Sequence, residues 1–446
     1  MSSPFLWGVA SAAFQVEGAL AEDGRGPSVW DTFAARPGAV RDGHSPAVAC
    51  DHYHRWPQDV DLLDRLGVNA YRFSIAWPRV VPQGTGPVNK AGLDFYDRLV
   101  DALLERGITP FPTLFHWDLP QALEDAGGWS SRDTARAFAD YAAVVADRMG
   151  DRVPRWITLN EPVVHMAYGH AFGTHAPGHT LEVPGVLAVA HHLLLSHGLA
   201  AAELRSRGLE ALLTNNLSPV RGPQDPTGAD LAAGAAYDAL HNRLFTDPVL
   251  LGSYPDLSAF GAAEVPGVRE GDLGVIAGSA DGIGVNYYNP SLVLAPEEGA
   301  GLPFALGEIT GVPTTAFGWP VVPEGLTDTL VGLSERYGEA LPPLYVTENG
   351  CSCEDTVVDG RVADPGRIAY LESHIAAVDA ARARGADVRG YFVWTLTDNF
   401  EWAEGYHQRF GLVHVDHETQ VRTPKDSFAR YRDIIAARTG APDSPA

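Results

Sequence analysis

Residues 155–162 read Arg-Trp-Ile-Thr-Leu-Asn-Glu-Pro, a short hydrophobic run that ends in two polar residues and a proline. A run of this length with aromatic and β-branched side chains predicts a β-strand, and the proline predicts that the strand ends there. The same order of strand, polar end and helical stretch recurs along the chain. This recurrence decides the fold.

The recurring unit predicts an α/β protein in which parallel strands alternate with crossover helices. A single closed (β/α)8 barrel (a TIM barrel) with extended βα loops is the simplest architecture, and a doubly wound sheet is the alternative. We place strands at residues 5–12, 70–76, 109–116, 155–160, 211–216, 282–288, 344–347 and 389–396. The helical patterns between them include residues 59–66, 92–106, 134–149, 185–207 and 367–384.

The chain length of 446 residues suits one large barrel domain over residues 1–446. Residues 291–318 are rich in Gly, Pro and Glu and have weak periodicity, so we interpret them as a long βα loop after the sixth strand. Residues 439–446 (TGAPDSPA) are expected to form a frayed tail.

Composition and charge argue against several partners and compartments. A formal charge of −24 repels nucleic acid and anionic lipid, so we expect neither as a partner. We find no apolar run of the ~20 residues that span a bilayer and no basic, signal-like N-terminus. Cys50, Cys351 and Cys353 are too few for a disulfide framework, and their odd number favours a reducing, cytoplasmic compartment.

Each predicted strand ends in polar or aromatic residues that a barrel core does not need. In barrels the carboxyl ends of all strands share one face, and the active site lies there. These residues should therefore converge, although hundreds of positions separate them. They are Arg72 with Ser74, His116-Trp117-Asp118, Asn160-Glu161, Asn215-Asn216, Asn286-Tyr287-Tyr288, Glu348-Asn349 and Asp398-Asn399.

Two of these strand ends carry a glutamate, Glu161 in residues 158–162 (TLNEP) and Glu348 in residues 346–350 (VTENG). One such glutamate alone would more often be a helix cap or a solvated loop residue. A pair on one rim matches glycosidic bond cleavage, in which one carboxylic acid protonates the leaving oxygen and a second carboxylate attacks the anomeric carbon or activates water. The sequence leaves open whether the pair is spaced for retention or for inversion.

These motifs together resemble glycoside hydrolase family 1, the retaining β-glucosidases and β-galactosidases. The resemblance covers nearly the whole chain, and the combination of motifs in this order is specific, whereas any one pentapeptide is weak. The motifs are residues 5–12, 15–18, 69–75, 116–120, 158–162, 284–288, 346–350 and 398–402.

The resemblance implies hydrolysis of terminal β-D-glucosyl residues with retention, through a covalent glycosyl-enzyme. It makes Glu161 the general acid/base and Glu348 the nucleophile. It places Arg72 and Tyr288 beside the nucleophile, where a cation and a hydroxyl donor favour the charged carboxylate, and it groups Asn286 with these catalytic residues. In isolation, a structural ion pair for Arg72 and a core position for Tyr288 would be the commoner roles.

The resemblance also implies a subsite for the non-reducing sugar, in which Asn160 holds the 2-hydroxyl and Trp394 forms a stacking platform. A carboxylate at Glu401 would repel a phosphate, so we expect unphosphorylated substrates, namely small β-glycosides or short β-linked oligosaccharides. Glucose against galactose or fucose is left open. The full set of expected substrate-binding residues is Gln15, His116, Trp117, Asn160, Trp319, Trp394, Glu401 and Trp402.

The chain departs from the family pattern on the leaving-group side, where Val163 stands in place of a tryptophan common in bacterial relatives. Phe172 and the 291–318 loop are the candidates to replace that aromatic wall. Cys351 and Cys353 also depart from the family, and we interpret them as loop cysteines near the active site, with thiol sensitivity as the alternative.

We expect neither a metal nor a cofactor. The histidines of residues 51–54 (DHYH) and 191–197 do not present paired ligands at helical spacing with a third ligand. Two alternative functions remain, a non-catalytic carbohydrate-binding barrel and a transglycosylating β-glycosidase. The presence of both glutamates argues against the first, and the sequence does not decide the second.

Overall fold

A closed barrel of eight parallel strands forms the centre of the computed structural model, which describes residues 4–440. Each strand pairs with the next, and the last pairs with the first through Val9 and Val393. The predicted (β/α)8 barrel is thereby confirmed. The strands are β1 (Leu6–Ala10), β2 (Ala70–Ser74), β3 (Thr109–Phe115), β4 (Arg155–Asn160), β5 (Glu210–Asn216), β6 (Gly282–Asn286), β7 (Leu344–Asn349) and β8 (Val388–Trp394).

An outer layer of helices covers the barrel. Its main members are α1 (His52–Leu66), α2 (Lys90–Glu105), α3 (Arg132–Met149), α4 (Val183–Ser206), α5 (Gly228–Tyr237), α6 (Pro323–Tyr337), α7 (Pro365–Ala383) and α8 (Asp426–Thr439). Shorter helices are Ala13–Val16, Val29–Ala34, Trp77–Val80, Gln121–Asp125, Pro162–Met166, Asp247–Leu251 and Asp272–Ile276. Two wide π-turns, Ala167–Ala171 and Asp238–Arg243, follow Pro162–Met166 and α5 directly.

Large apolar side chains fill one part of the barrel interior. Phe111 and Phe392 lie with ring centroids 5.2 Å apart, and Ile157 and Leu212 pack in the same buried cluster. Gly8 makes room for this packing, because a Cβ there would lie 2.3 Å from the Phe392 ring. The interior is therefore a packed core, and polar side chains are left to the carboxyl ends of the strands.

The segment 291–318 is more ordered than the predicted loop. Ser291–Leu294 pairs antiparallel with Ala305–Gly307 and parallel with Val220–Arg221, which gives a small three-stranded sheet separate from the barrel sheet. Strands of two to four residues leave little periodicity in a sequence, which explains why the pattern suggested a plain loop.

The predicted C-terminal tail starts at Thr439, whereas the structure includes this residue in helix α8. Thr439 closes α8 and its hydroxyl donates to Ile435 O at 2.9 Å, and Gly440 caps the helix with a φ of 69°. A glycine in the left-handed region is a common helix end. Residues 441–446 of the predicted tail lie outside the described residues.

Helix α4 corrects the expectation that no segment could span a bilayer. By length and composition alone its 24 residues could cross a membrane, and 72% of its most apolar window is buried in the protein. The helix packs on α3, β4 and β5. Burial of this kind is typical of the core helix of a large domain.

Candidate active site

Glu161 and Glu348 lie at the carboxyl ends of β4 and β7 and line one cavity of about 700 Å³. Glu161 directly follows β4 and has a left-handed backbone (φ 46°, ψ 57°). Trp117 and Trp402, which line the same cavity, also have positive φ values of 77° and 50°. Left-handed backbone at residues other than glycine costs about 1–3 kcal/mol each and clusters at functional sites.

Glu348 is in contact with a guanidinium group and a phenol. Arg72 donates to its Oε1 at 2.6 Å, and the Tyr288 hydroxyl donates to its Oε2 at 2.7 Å. Burial and the charge of Glu348 raise the pKa of Tyr288 well above its usual value, so the phenol keeps its proton. Both oxygens of the Glu348 carboxyl group therefore have a hydrogen-bond donor, one of them a cation.

Glu161 has neutral partners instead. Its Oε1 accepts hydrogen bonds from the side-chain amides of Asn216 and Asn286, each at 2.9 Å. Burial, followed by the negative charge of Glu348, raises the pKa of Glu161 to about 8, against the opposing effect of the two amides and of Arg72. A proton therefore resides on Glu161 near neutral pH, which is what an acid catalyst needs.

The predicted sugar-binding residues Gln15 and Glu401 lie together. Gln15 Nε2 donates to Glu401 Oε2 at 3.2 Å and to Phe400 O at 2.9 Å. Burial, and then the charge of Glu348, raises the pKa of Glu401 to about 8. Gln15 Oε1 is buried without a partner among residues 4–440, so a bound hydroxyl can satisfy it.

The predicted pair His116 and Asn160 is also in contact. Asn160 Nδ2 lies 2.9 Å from His116 Nε2, and Trp117 Nε1 donates to Asn160 O at 2.9 Å. Burial, and then the Arg72 cation, holds the pKa of His116 well below its usual value. The imidazole is neutral, and its Nδ1 is a second buried atom without a partner in the described part of the chain.

All four predicted tryptophans line the cavity and form its aromatic walls. Trp402 lies 4.7 Å from Trp117 between ring centroids, and Trp394 stacks near His116 at 5.9 Å. Trp319 lies at the other side, stacked on Phe317 at 4.4 Å and in edge contact with Tyr288 at 5.2 Å. Flat apolar walls with a few directed polar groups are typical of a sugar site.

Comparison with known proteins agrees with this site. The model of the family described as "Glycosyl hydrolase family 1" matches residues 1–439. The chain belongs to glycosyl hydrolase family 1. It is an enzyme of the β-glucosidase type, and the resemblance seen in the sequence is confirmed.

Three similar proteins illustrate the relationship. "Thermostable beta-glucosidase B" of Thermobispora bispora is 50% identical over 97% of this chain and 89% of its own length. A "Bifunctional beta-D-glucosidase/beta-D-fucosidase" of Bifidobacterium breve is 46% identical over 97% of both chains. The solved structure of a β-glucosidase from Thermotoga maritima in complex with deoxynojirimycin has 42% identity and a TM-score of 0.92 over 98% of both chains.

Neither Val163 nor Phe172 supplies the aromatic wall expected from the sequence on the leaving-group side. Val163 is buried and does not line the cavity, whereas Tyr168, five positions later, does. Phe172 contacts Tyr168 edge-on at 5.8 Å and does not itself line the cavity. Leu306, from the 291–318 segment, also lines it.

Sequence reasoning did not select Tyr168, Asn216 or His241 as site residues. Asn216 stood among the polar strand ends, which was a usable signal. Tyr168 and His241 lie on the two π-turns, beyond the strand ends, and no motif marked them.

The histidines that superficially resembled metal ligands have protein partners. His52 pairs with Asp59 at 2.8 Å, His191 contacts Asp272 at 2.9 Å, and His197 contacts Thr158 at 2.6 Å. Asp42, His44 and His407 also approach one another on the surface, but the Tyr406 amide donates to His44 Nδ1 at 3.0 Å. These contacts are hydrogen bonds within the protein.

Proposed function

We propose that Glu161 is the general acid/base and Glu348 the nucleophile of this family 1 β-glucosidase. Family 1 enzymes hydrolyse glycosides with retention of configuration. Retention requires one carboxylic acid and one carboxylate on the same scissile bond. The observation that carries the assignment is the difference between the two surroundings, a cation and a phenol at Glu348 and two amides at Glu161.

In the first step, Glu348 attacks the anomeric carbon while Glu161 gives its proton to the glycosidic oxygen. The aglycone leaves as a neutral alcohol, and a glycosyl ester forms on Glu348. The ester removes the negative charge that helps to raise the pKa of Glu161. Glu161, now a carboxylate, accepts a proton from water, the water oxygen attacks the anomeric carbon, and Glu348 leaves as a carboxylate. Two inversions give net retention.

The substrates we propose are small β-glycosides or short β-linked oligosaccharides with an unphosphorylated terminal glucose. Glu401 and Gln15 offer one acceptor and one amide for adjacent hydroxyls. A dianionic phosphate would have to leave water in this buried cavity, whose lining within residues 4–440 includes no lysine or arginine to pair with it. The bifunctional relative named above supports tests with the β-fucoside as well.

We also propose a cytoplasmic protein that binds neither nucleic acid nor membrane. The charge of −24 supports the first part of this exclusion. The three cysteines are unpaired, and the sulfurs of Cys351 and Cys353 lie 3.8 Å apart without a bond, which fits a reducing compartment.

Azide rescue tests the nucleophile. Glu348→Ala should lose nearly all turnover of p-nitrophenyl β-glucoside, because the covalent route is closed. Added azide should restore turnover and give the α-glucosyl azide, since a small anion can enter the space of the carboxylate. For Glu161→Ala, azide should instead give the β-glucosyl azide. A β-azide from Glu348→Ala would contradict the assignment.

A further inference from the structure

We propose that His241 is a positioning residue that fixes the side-chain amide of Asn216 and thereby keeps the acidic proton of Glu161 on Oε2. The inference rests on the acid/base role proposed for Glu161. It concerns a residue of the second π-turn, and it explains how a neutral hydrogen-bond chain directs a proton toward the substrate.

The first step is the asymmetry of the Glu161 carboxyl. Oε1 accepts from Asn216 Nδ2 and Asn286 Nδ2, both at 2.9 Å. Oε2 has no hydrogen bond to residues 4–440 and is not among the buried atoms without a partner, so it opens to the cavity. An oxygen that already accepts two N–H bonds is a poor site for a proton, because a proton there would face both donors. The proton therefore resides on Oε2.

The second step is the orientation of the two amides. A flipped Asn216 would turn Oδ1 toward Glu161 and would stabilise the proton on Oε1, away from the substrate. His241 Nε2 lies 3.1 Å from Asn216 Oδ1. Because an amide oxygen only accepts hydrogen bonds, this contact requires the His241 tautomer with its proton on Nε2, and we infer that this tautomer holds Asn216 in the unflipped orientation. Asn286 is held in the same way by Thr347 Oγ1, which donates to its Oδ1 at 2.8 Å.

The third step is that His241 is suited to a fixed donor role. Burial lowers its pKa to about 4, so the ring is neutral near pH 7 and has a single N–H. The ring stacks on Tyr237 with centroids 5.0 Å apart and planes 10° from parallel. It projects from the π-turn Asp238–Arg243, and such wide turns are frequent at functional sites.

Other groups act on the charge of Glu161 rather than on the position of its proton. The titratable and charged groups that influence it, or are influenced by it, are Glu348, Arg72, Tyr168, Tyr288 and Glu401. None of these hydrogen bonds to Asn216 within the described residues. The orientation of Asn216 is therefore set by His241.

The test compares two aryl glucosides that differ in their need for acid catalysis. Phenyl β-glucoside needs a proton on its leaving oxygen, and 2,4-dinitrophenyl β-glucoside does not. His241→Phe keeps a stacked ring and removes the N–H donor. We expect kcat/KM for the phenyl glucoside to fall about tenfold or more, a part of the 10²–10⁴-fold that acid catalysis supplies. The value for the dinitrophenyl glucoside should stay within about twofold, and His241→Gln, which keeps an N–H donor, should restore much of the loss.

Two controls separate the possible failures. His197→Phe alters a buried histidine bonded to Thr158, and any effect should be equal for both substrates. Glu161→Gln must show the leaving-group selectivity; if it does not, the role proposed for Glu161 fails. If Glu161→Gln is selective but His241→Phe lowers both substrates equally or changes neither, the positioning role is wrong. If His241→Phe does not fold, Asn216→Ala decides, and a wild-type ratio of the two substrates in that variant overturns the proposal.

Discussion

One terminal nitrogen of Arg72 donates to Glu348 Oε1 at 2.6 Å, and the other donates to Asn160 Oδ1 at 2.5 Å. One guanidinium thus connects the proposed nucleophile at the end of β7 with Asn160, a predicted sugar-binding residue, at the end of β4. The Arg72 side chain is 1% exposed, so water does little to screen this ion pair, and loss of either partner leaves a buried charge.

The first prediction concerns this connection. Arg72→Lys should lower kcat/KM by about 10–100-fold, because an ammonium cannot reproduce the planar, two-sided contact and a charge-assisted bond is worth about 1.5–3 kcal/mol. Steady-state kinetics with p-nitrophenyl β-glucoside measure this loss. Arg106→Lys is the matched control, because Arg106 forms a surface ion pair with Asp61. Near-normal kinetics in Arg72→Lys would show that charge alone suffices.

The second prediction concerns the pKa of Glu161. Since the acid must be protonated, kcat/KM should fall as the pH rises through about 8. In the 2-deoxy-2-fluoroglucosyl enzyme, the ester on Glu348 removes the negative charge and the pKa of Glu161 should decrease. Burial, the largest cause, remains, so the pKa should stay above the ordinary value of 4.5. Carboxyl ¹³C NMR titration of free and trapped enzyme measures this change, and an unchanged or higher pKa in the trapped enzyme would contradict it.

The sequence predicts the barrel and most of its site for a geometric reason. Parallel strands bring their carboxyl ends to one rim, so residues that end separate strands, such as Asn160, Asn286 and Glu348, must meet there. Contacts such as Thr347 with Asn286 and Arg72 with Asn160 follow from this convergence.

The remaining features depend on distant or irregular contacts. The short strand Ser291–Leu294 pairs with Ala305–Gly307 and also with Val220–Arg221, about 70 positions earlier, and no local period records the distant pairing. Tyr168 and His241 reach the cavity because a π-turn shifts the helical register by one residue. Sequence periodicity assumes a regular helix, so it cannot place these two side chains.

The third prediction is a pH-dependent stability difference. The pKa of Glu161 is about 8 in the folded protein, against 4.5 as the ordinary value, so the folded state binds more protons than the unfolded state between these limits. Stability from this carboxyl is therefore present at low pH and is lost as the pH rises through that window. The Tm of Glu161→Gln should exceed that of the wild type by an amount that grows from pH 5 to pH 8 and then levels off.

Glu372→Gln is the matched control for this stability measurement, because Glu372 forms an exposed ion pair with Arg430. Thermal unfolding at pH 5, 6.5 and 8 should show no comparable growth in the Tm difference for that variant. A Tm difference for Glu161→Gln that does not change with pH would be inconsistent with a raised pKa.

The fourth prediction assigns Tyr168 to the leaving-group side of the cavity. It belongs to the turn that follows the Glu161 helix, stacks on His175 at 5.2 Å, and has its pKa raised by burial and by Glu161. Tyr168→Ala should raise KM for p-nitrophenyl β-glucoside about 2–10-fold with little change in kcat, as expected for an aromatic contact of about 0.5–1.5 kcal/mol. Tyr168→Phe should retain the wild-type KM. Methyl β-glucoside, which lacks an aryl group, should be unaffected, and an equal loss on both substrates would argue against a stacking role.

The fifth prediction concerns the three thiols, whose surroundings differ sharply. Burial raises the pKa of Cys50 to about 12, and the hydrogen bond with Cys353, together with burial, raises the pKa of Cys351 well above its usual value. The Cys353 pKa is lowered, first by the hydrogen bond from Cys351, and its side chain is partly exposed. Because the thiolate is the reactive form, Ellman's reagent should titrate one thiol in the native enzyme and three in denaturant. Cys353→Ser should abolish the native reaction, and one reactive thiol remaining in that native variant would show that Cys351 or Cys50 becomes accessible by local opening.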